Sequence, residues 1–202
     1  MGNPNTRRAP GNEVDRTAFR EMCRVFAERE IGPRWQKADE EKRFPREFYV
    51  AAAKAGLIGI TATEDVGGAD LGAYEEAIAM EELAKVNPNL AVSVLVQNVA
   101  GSILYEYGDA QHRELARKTI AGECLVAITI TEPEAGNDIQ NVSPRATQDG
   151  DEWVLDGIKS FITLGGDADI LVTLAQTDPS AGRHGMRFFA VDRRTPGIQT
   201  SQ

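Results

Sequence analysis

Residues 124–138, CLVAITITEPEAGND, decide the fold because a run of apolar and β-branched residues stops abruptly in a polar turn. The run from Leu125 to Ile130 predicts a strand. The Glu-Pro and Ala-Gly pairs that follow it predict a sharp turn. Such turns expose backbone N–H groups and polar side chains, so residues 131–138 are predicted to face an anionic or heteroaromatic ligand.

A second ligand-facing segment is predicted within residues 157–166, GIKSFITLGG. Ile158 to Thr163 is predicted to form a strand, and the paired glycines predict the turn after it. Besides these two strands, others are predicted at residues 153–155, 170–175 and 186–191. Turn signals at Asp149-Gly150 and Asp156-Gly157 then favour a β domain of short antiparallel strands.

Residues 1–122 carry helical periodicity instead. The first helix is predicted to follow an Asn12 cap and to end or kink at Gly32-Pro33. Pro45 and Pro88 predict the first turns of later helices, and Asp109 predicts the cap of a last helix that stops at Gly122. The segment Leu90 to Leu104 is apolar nearly all round, which predicts a buried helix.

The sequence therefore predicts an α+β chain with two parts. An N-terminal all-α helical domain covers residues 1–122, and an antiparallel β-barrel or sandwich-like domain covers residues 123–202.

Composition narrows the classes of partner. A formal net charge of -9 disfavours a nucleic-acid backbone or an anionic membrane as the main partner, because either would repel this surface. No run approaches the roughly 18 apolar residues that a membrane span requires, and Met1 to Gly11 lacks the apolar core of a secretory signal. A cytoplasmic protein is expected. The two cysteines and two histidines are isolated from one another, so no metal site is predicted.

Residues 131–138 and 157–166 together resemble the flavin-binding signature of the acyl-CoA dehydrogenase family. The resemblance covers almost the whole chain in the expected order, because it also includes Phe44-Pro45, the Gly-Leu-Ile-Gly59 stretch and the Gly67-Gly68 loop. It implies FAD as cofactor, an acyl-CoA thioester as substrate and an electron-transferring flavoprotein as electron acceptor. It also implies a homo-oligomer.

The resemblance assigns cofactor-binding roles residue by residue. Ile128, Thr129, Ile130 and Thr131 would lie along the flavin ring, with the Thr131 hydroxyl bonded to its pyrimidine edge. Gly136 and Asn137 would approach the FAD pyrophosphate. Phe161, Ile162 and Thr163 would form the second stretch, with Phe161 packed against the flavin and Thr163 bonded to its N5 atom. The alternative for Phe161 is ordinary sheet packing.

Substrate-binding roles follow from the same resemblance. Asn137 would also meet the pantetheine, while Val94 and Asn98 lie on the helix that lines the acyl pocket in the family. Asn137 can instead be a turn residue, and core packing explains Val94. Asn137 replaces the usual serine, Leu164 the usual asparagine, and Ile128 stands where an aromatic is often found. Glu132 is expected to be structural rather than catalytic.

The family's chemistry requires a carboxylate that removes the α-proton of the thioester while the β-hydrogen leaves as hydride to flavin N5. That base lies in a C-terminal helical domain, and this sequence ends at Gln202, within the resembled β domain. The expectation is a truncated chain without a catalytic base, which holds FAD weakly and does not dehydrogenate alone.

Two other classes of function remain open. An acyl-CoA oxidase or flavin monooxygenase of the same fold would differ in its electron acceptor. A non-catalytic scaffold or binding module would bind no FAD.

Overall fold

Helices form the first part of the chain and strands form the second. The computed structural model describes residues 14–32, 34–139 and 145–201. The chain divides into two units, Met1–Glu123 and Cys124–Gln202. The α-helices described in the first unit are α1 Arg16–Phe26, α2 Trp35–Glu40, α3 Arg46–Lys54, α4 Ala73–Val86, α5 Pro88–Tyr107 and α6 Ala110–Ile120. A π-helical turn at Ala27–Ile31 continues α1. The predicted order of helices followed by a sheet is confirmed.

Local caps explain where these helices begin. The Asp15 carboxylate accepts the N–H groups of Thr17 and Ala18 at 2.9 and 3.2 Å and so caps α1, whereas Asn12 lies outside the described residues. Pro88 is the first residue of α5, as predicted, and Asp109 caps α6. Pro45 instead precedes the first residue of α3.

Buried contacts bind the helices of the first unit together. The Tyr49 hydroxyl donates to the Thr119 carbonyl at 2.6 Å, which joins α3 to α6. Glu82 of α4 is buried and pairs with Arg20 of α1 and with Lys85, the latter at 2.8 Å. The prediction of a buried α5 holds for part of the helix, including Leu90, Val94 and Leu104. It fails along one face, where Val92, Leu95 and Val99 are exposed.

The second unit contains a mixed sheet of β1 Val126–Thr129, β2 Arg145–Asp149, β3 Glu152–Asp156, β4 Ile170–Gln176 and β5 Met186–Asp192. Strand β4 is parallel to β1 and antiparallel to β5. Strands β2 and β3 form an antiparallel hairpin, and β2 meets β4 through the parallel pair Arg145 and Gln176. The expectation of a wholly antiparallel sheet is therefore corrected to a mixed one.

Residues 157–163 form a loop, so the prediction of a strand at Ile158 to Thr163 is wrong. Phe161 has a φ of 56° and Leu164 a φ of 64°, values that an extended strand does not contain. The Ser160 N–H donates to the carbonyl of Thr131 rather than to a ladder of strand partners. Strand β2 was not predicted, because the sequence RATQD is polar and mostly exposed.

Candidate functional site

The turn after β1 is closed by its own backbone. The Glu132 N–H donates to the Ala135 carbonyl at 3.0 Å, and the Ala135 N–H donates to the Glu132 carbonyl at 3.3 Å. Ala135 is buried beneath the turn, while Gly136 and Asn137 are exposed. A Cβ atom placed on Gly136 would meet nothing within 4 Å in the described chain. The backbone at Gly136 is therefore open to close approach by another molecule.

The loop 157–163 is fastened to this turn by three hydrogen bonds. The Lys159 ammonium donates to the Ile130 carbonyl at 3.0 Å and to the Glu132 carboxylate at 2.7 Å. The Ser160 N–H donates to the Thr131 carbonyl at 2.8 Å. The two segments that the sequence singled out separately therefore form one surface.

Phe161 projects from this surface. Its side chain is 93% exposed, so it does not pack into the described sheet. Its positive φ is a conformation that residues other than glycine, asparagine and aspartate rarely adopt. An exposed aromatic ring on a constrained backbone is suited to contact with a ligand. A phenylalanine that served ordinary sheet packing would instead be buried.

Each of the two segments carries one threonine that the sequence resemblance assigns to the flavin. Thr131 and Thr163 are both half-buried, and neither hydroxyl has a hydrogen-bond partner within residues 14–32, 34–139 and 145–201. Ile162 is half-buried between Phe161 and Thr163. Each threonine hydroxyl can still donate one hydrogen bond and accept two, so both are available to a ligand.

Strand β1 divides its predicted site residues between two faces. Ile128 and Ile130 lie on one face and are half-buried. Thr129 lies on the other face, is buried, and donates to the Thr173 hydroxyl at 2.7 Å. The hydroxyl of Thr129 is thus committed within the sheet, and any ligand contact of this residue would use its backbone.

Val94 and Asn98 belong to the helical unit and are both buried. Asn98 accepts the Gly59 N–H at 2.6 Å and donates to the Leu57 carbonyl at 3.3 Å. Its amide therefore fixes the loop after α3. Nearby Glu76 has its pKa raised by burial, which a hydrogen bond from Asn98 partly offsets.

Sequence reasoning missed the contact between Lys159 and Glu132. Their side chains are only 11% and 3% exposed, and they pair at 2.7 Å across 27 residues of sequence. The available signal was Lys159 itself, the one charged residue in the segment GIKSFITLGG. No sequence rule links it to a glutamate that precedes a proline in another turn.

Some classes of site find no support in the described part of the molecule. Its histidine, cysteine, aspartate and glutamate side chains form no group of three that could hold a metal ion. Within the same ranges, every helix is too short or too polar to cross a membrane.

The fold defines a class of protein in which a helical unit precedes a mixed sheet, and the turn after β1 is joined to the loop 157–163. The sequence-family model of the acyl-CoA dehydrogenase N-terminal domain matches residues 13–123. The family model of the acyl-CoA dehydrogenase middle domain matches residues 127–202. The chain belongs to the acyl-CoA dehydrogenase family.

Individual relatives agree with this assignment. Mitochondrial isobutyryl-CoA dehydrogenase of Dictyostelium discoideum is 31% identical over 189 residues, which covers 93% of this chain and 45% of the relative. Butyryl-CoA dehydrogenase from Megasphaera elsdenii matches with a TM-score of 0.82 and 29% identity, over 92% of this chain and 50% of that one.

A glutaryl-CoA dehydrogenase from Mycobacterium smegmatis in complex with FADH2 matches with a TM-score of 0.83 and 28% identity, over 93% of this chain and 48% of that one. The chain thus spans about half the length of the relatives it matches.

Proposed function

We propose that this chain supplies the flavin-facing turns of an acyl-CoA dehydrogenase, which performs FAD-dependent α,β-dehydrogenation of an acyl-CoA thioester. The observation that carries the proposal is the hydrogen bond from the Ser160 N–H to the Thr131 carbonyl at 2.8 Å, because it unites the two motifs of the flavin signature. Family membership and a structural relative in complex with FADH2 support it.

The residues at the two turns fit a flavin. A flavin ring has an apolar face and a polar edge with donors and acceptors, and the turns offer matching groups. Phe161 presents an exposed ring, Thr131 and Thr163 present accessible hydroxyls, and Gly136 leaves open space beside its backbone. Each of these properties belongs to the described chain and does not depend on the relatives.

The binding roles in this proposal follow the sequence motifs. The flavin would contact Ile128, Thr129, Ile130, Thr131, Gly136, Asn137, Phe161, Ile162 and Thr163. The acyl-CoA would contact Asn137, Val94 and Asn98, although the structure also gives Asn98 a loop-fixing role. When bound, FAD supplies the acceptor for the hydride that leaves the β-carbon of the substrate.

Broader features of the protein belong to the same proposal. Residues 1–122 and 123–202 would be the N-terminal helical domain and part of the middle β domain. An electron-transferring flavoprotein would accept the electrons, the protein would act as a homo-oligomer, and its location would be cytoplasmic.

Equilibrium titration of the purified chain with FAD tests the flavin assignment. We expect saturable quenching of flavin fluorescence, with affinity too weak to survive gel filtration. Thr131→Val and Thr163→Val should each weaken binding about tenfold, because each removes a hydrogen bond to the flavin at nearly constant volume.

Thr147→Val is the matched control, since Thr147 is an exposed residue of β2 outside both turns. Absence of saturable binding by the wild-type chain, or equal affinities for all three variants, would rule out these flavin contacts.

A further inference from the structure

The Lys159–Glu132 ion pair is nearly enclosed by protein. Its side chains are 11% and 3% exposed, and the Lys159 ammonium also donates to the Ile130 carbonyl at 3.0 Å. Burial of two charges carries a desolvation penalty that can equal or exceed their attraction. Replacement of such pairs by apolar residues is often neutral for stability, so stability alone does not explain this one.

The pair lies where the two turns meet. Lys159 contacts the residues on both sides of Thr131, and the neighbouring Ser160 N–H binds the Thr131 carbonyl. Thr131 is therefore held from both sides. On the other turn, Phe161 follows Ser160 directly, so the position of its exposed ring depends on the same attachment.

The far end of the second turn is attached separately. The Asp169 N–H donates to the Leu125 carbonyl at 2.7 Å, and the Asp169 carboxylate accepts the Leu125 N–H at 2.9 Å. With its far end fixed there, the segment that carries Phe161 and Thr163 is positioned at its near end by Lys159 and Ser160. Loss of the near attachment would free this segment without unfolding the sheet.

We propose that Lys159 and Glu132 form a positioning latch that sets Thr131 and Phe161–Thr163 in one ligand-binding arrangement. The proposal rests on the proposed function, because it assigns the arrangement to a flavin. The latch does not touch the flavin in this scheme. It acts by preorganising residues that do, which reduces the ordering cost of binding.

Three variants test the latch. Lys159→Met removes one charge and leaves Glu132 without this partner. The double variant Lys159→Met/Glu132→Leu removes both charges and replaces the ion pair with an apolar contact. It should therefore regain the thermal stability that Lys159→Met loses. Arg194→Met is the matched control, because it breaks a 2.7 Å ion pair with Asp192 that is exposed in the same unit.

Hydrogen exchange without any cofactor is the first measurement. In both latch variants the Ser160 amide should exchange at least about tenfold faster than in wild type, while the amides of Met186–Asp192 keep their wild-type rates. The control variant should leave Ser160 unchanged. Wild-type exchange at Ser160 in the double variant would overturn the latch.

Flavin affinity is the second measurement. Both latch variants should bind FAD about tenfold more weakly, including the double variant after its thermal midpoint has recovered. If the double variant regained wild-type FAD affinity together with its thermal midpoint, the pair would serve stability alone. That result would overturn the proposal. If the wild-type chain binds no FAD, the proposed function fails, and hydrogen exchange still decides whether the latch exists.

Discussion

Phe161 has a strained backbone and an exposed side chain. Its substitution is therefore expected to change ligand affinity much more than the free energy of unfolding. A left-handed conformation costs a residue with a Cβ about 1–2 kcal/mol, whereas glycine adopts it freely but gains about 0.4–1 kcal/mol of entropy in the unfolded chain. Phe161→Gly should therefore change the free energy of unfolding by less than about 1 kcal/mol. It should weaken FAD binding about tenfold, because the exposed ring is lost.

Urea unfolding and FAD titration of the same samples check this prediction. Truncation of a buried phenylalanine lowers the free energy of unfolding by about 3–5 kcal/mol. A loss of that size in Phe161→Gly would mean that the ring is a packing residue, and the ligand-contact role would then have to be abandoned.

Cys23 of α1 predicts a pH dependence in the alkaline range. Burial raises the pKa of its thiol to about 11 from an ordinary value of 9.0, and the nearby Glu82 carboxylate adds to the shift. Because the unfolded thiol releases its proton more readily, the stabilisation is complete below pH 9 and is lost as the pH rises toward about 11.

The free energy of unfolding should therefore fall more steeply between pH 9 and 11 for wild type than for Cys23→Ala. Urea titrations at intervals across this range measure both slopes. Tyrosine and lysine ionise in both proteins, so the comparison isolates the thiol. Parallel curves would show that Cys23 has no such linkage.

At the scale of elements, Asn98 links helix α5 to the loop after α3. Asn98→Ala would leave the Gly59 N–H and the Leu57 carbonyl without this partner in a buried setting, at a cost of about 2–4 kcal/mol. Ser102→Ala on the same helix should cost less than about 1 kcal/mol, because it removes only a bond to the Asn98 carbonyl within the helix. Thermal unfolding without ligand compares them. A fully stable Asn98→Ala would contradict the loop-fixing role.

The elements also show how far sequence reasoning extends. Helices α5 and α6 were predictable because Pro88 and the Asp109 cap each act within one turn of the chain. The loop 157–163 was not, because Ile158, Ile162 and Thr163 have strand propensity and the loop is fixed by bonds to residues 130–132.

The candidate site divides in the same way. Thr131 and Phe161 were identifiable from local motifs, but the attachment between their segments depends on a pair 27 residues apart in sequence. Local patterns thus singled out candidate residues, whereas their arrangement in space required the tertiary structure.

At the scale of the whole molecule, several carboxylates form ion pairs with arginines, and these pairs favour the ionised form of the carboxylate. Arg194 lowers the pKa of Asp192 to about 2, and Arg16 lowers the pKa of Glu75. Such groups contribute stability above their unfolded pKa, and the contribution disappears as the pH falls through the lower folded value. The chain should therefore lose stability progressively below about pH 4.5.

Glu82 provides the sharpest test of this acid dependence. Hydrogen bonds from Lys85 and then Arg20 lower its pKa, and its side chain is buried although both partners are partly exposed. Glu82→Gln should destabilise the chain by about 1 kcal/mol at pH 7, after allowance for solvent screening of those partners. The difference should shrink as the pH falls below 4.5, because Glu82 takes up its proton more readily in the unfolded chain than in the folded one, where its pKa is lowered.

Glu81→Gln is the matched control, since Glu81 is the adjacent residue on α4 and also pairs with Arg20, but is 54% exposed. Its effect at pH 7 should be smaller than that of Glu82→Gln, because water screens an exposed pair. Urea unfolding of the three proteins at pH 7, 5 and 3 measures these differences. Equal losses for the two variants, or a Glu82→Gln deficit that persists at pH 3, would place the acid sensitivity of the molecule elsewhere than in this buried carboxylate.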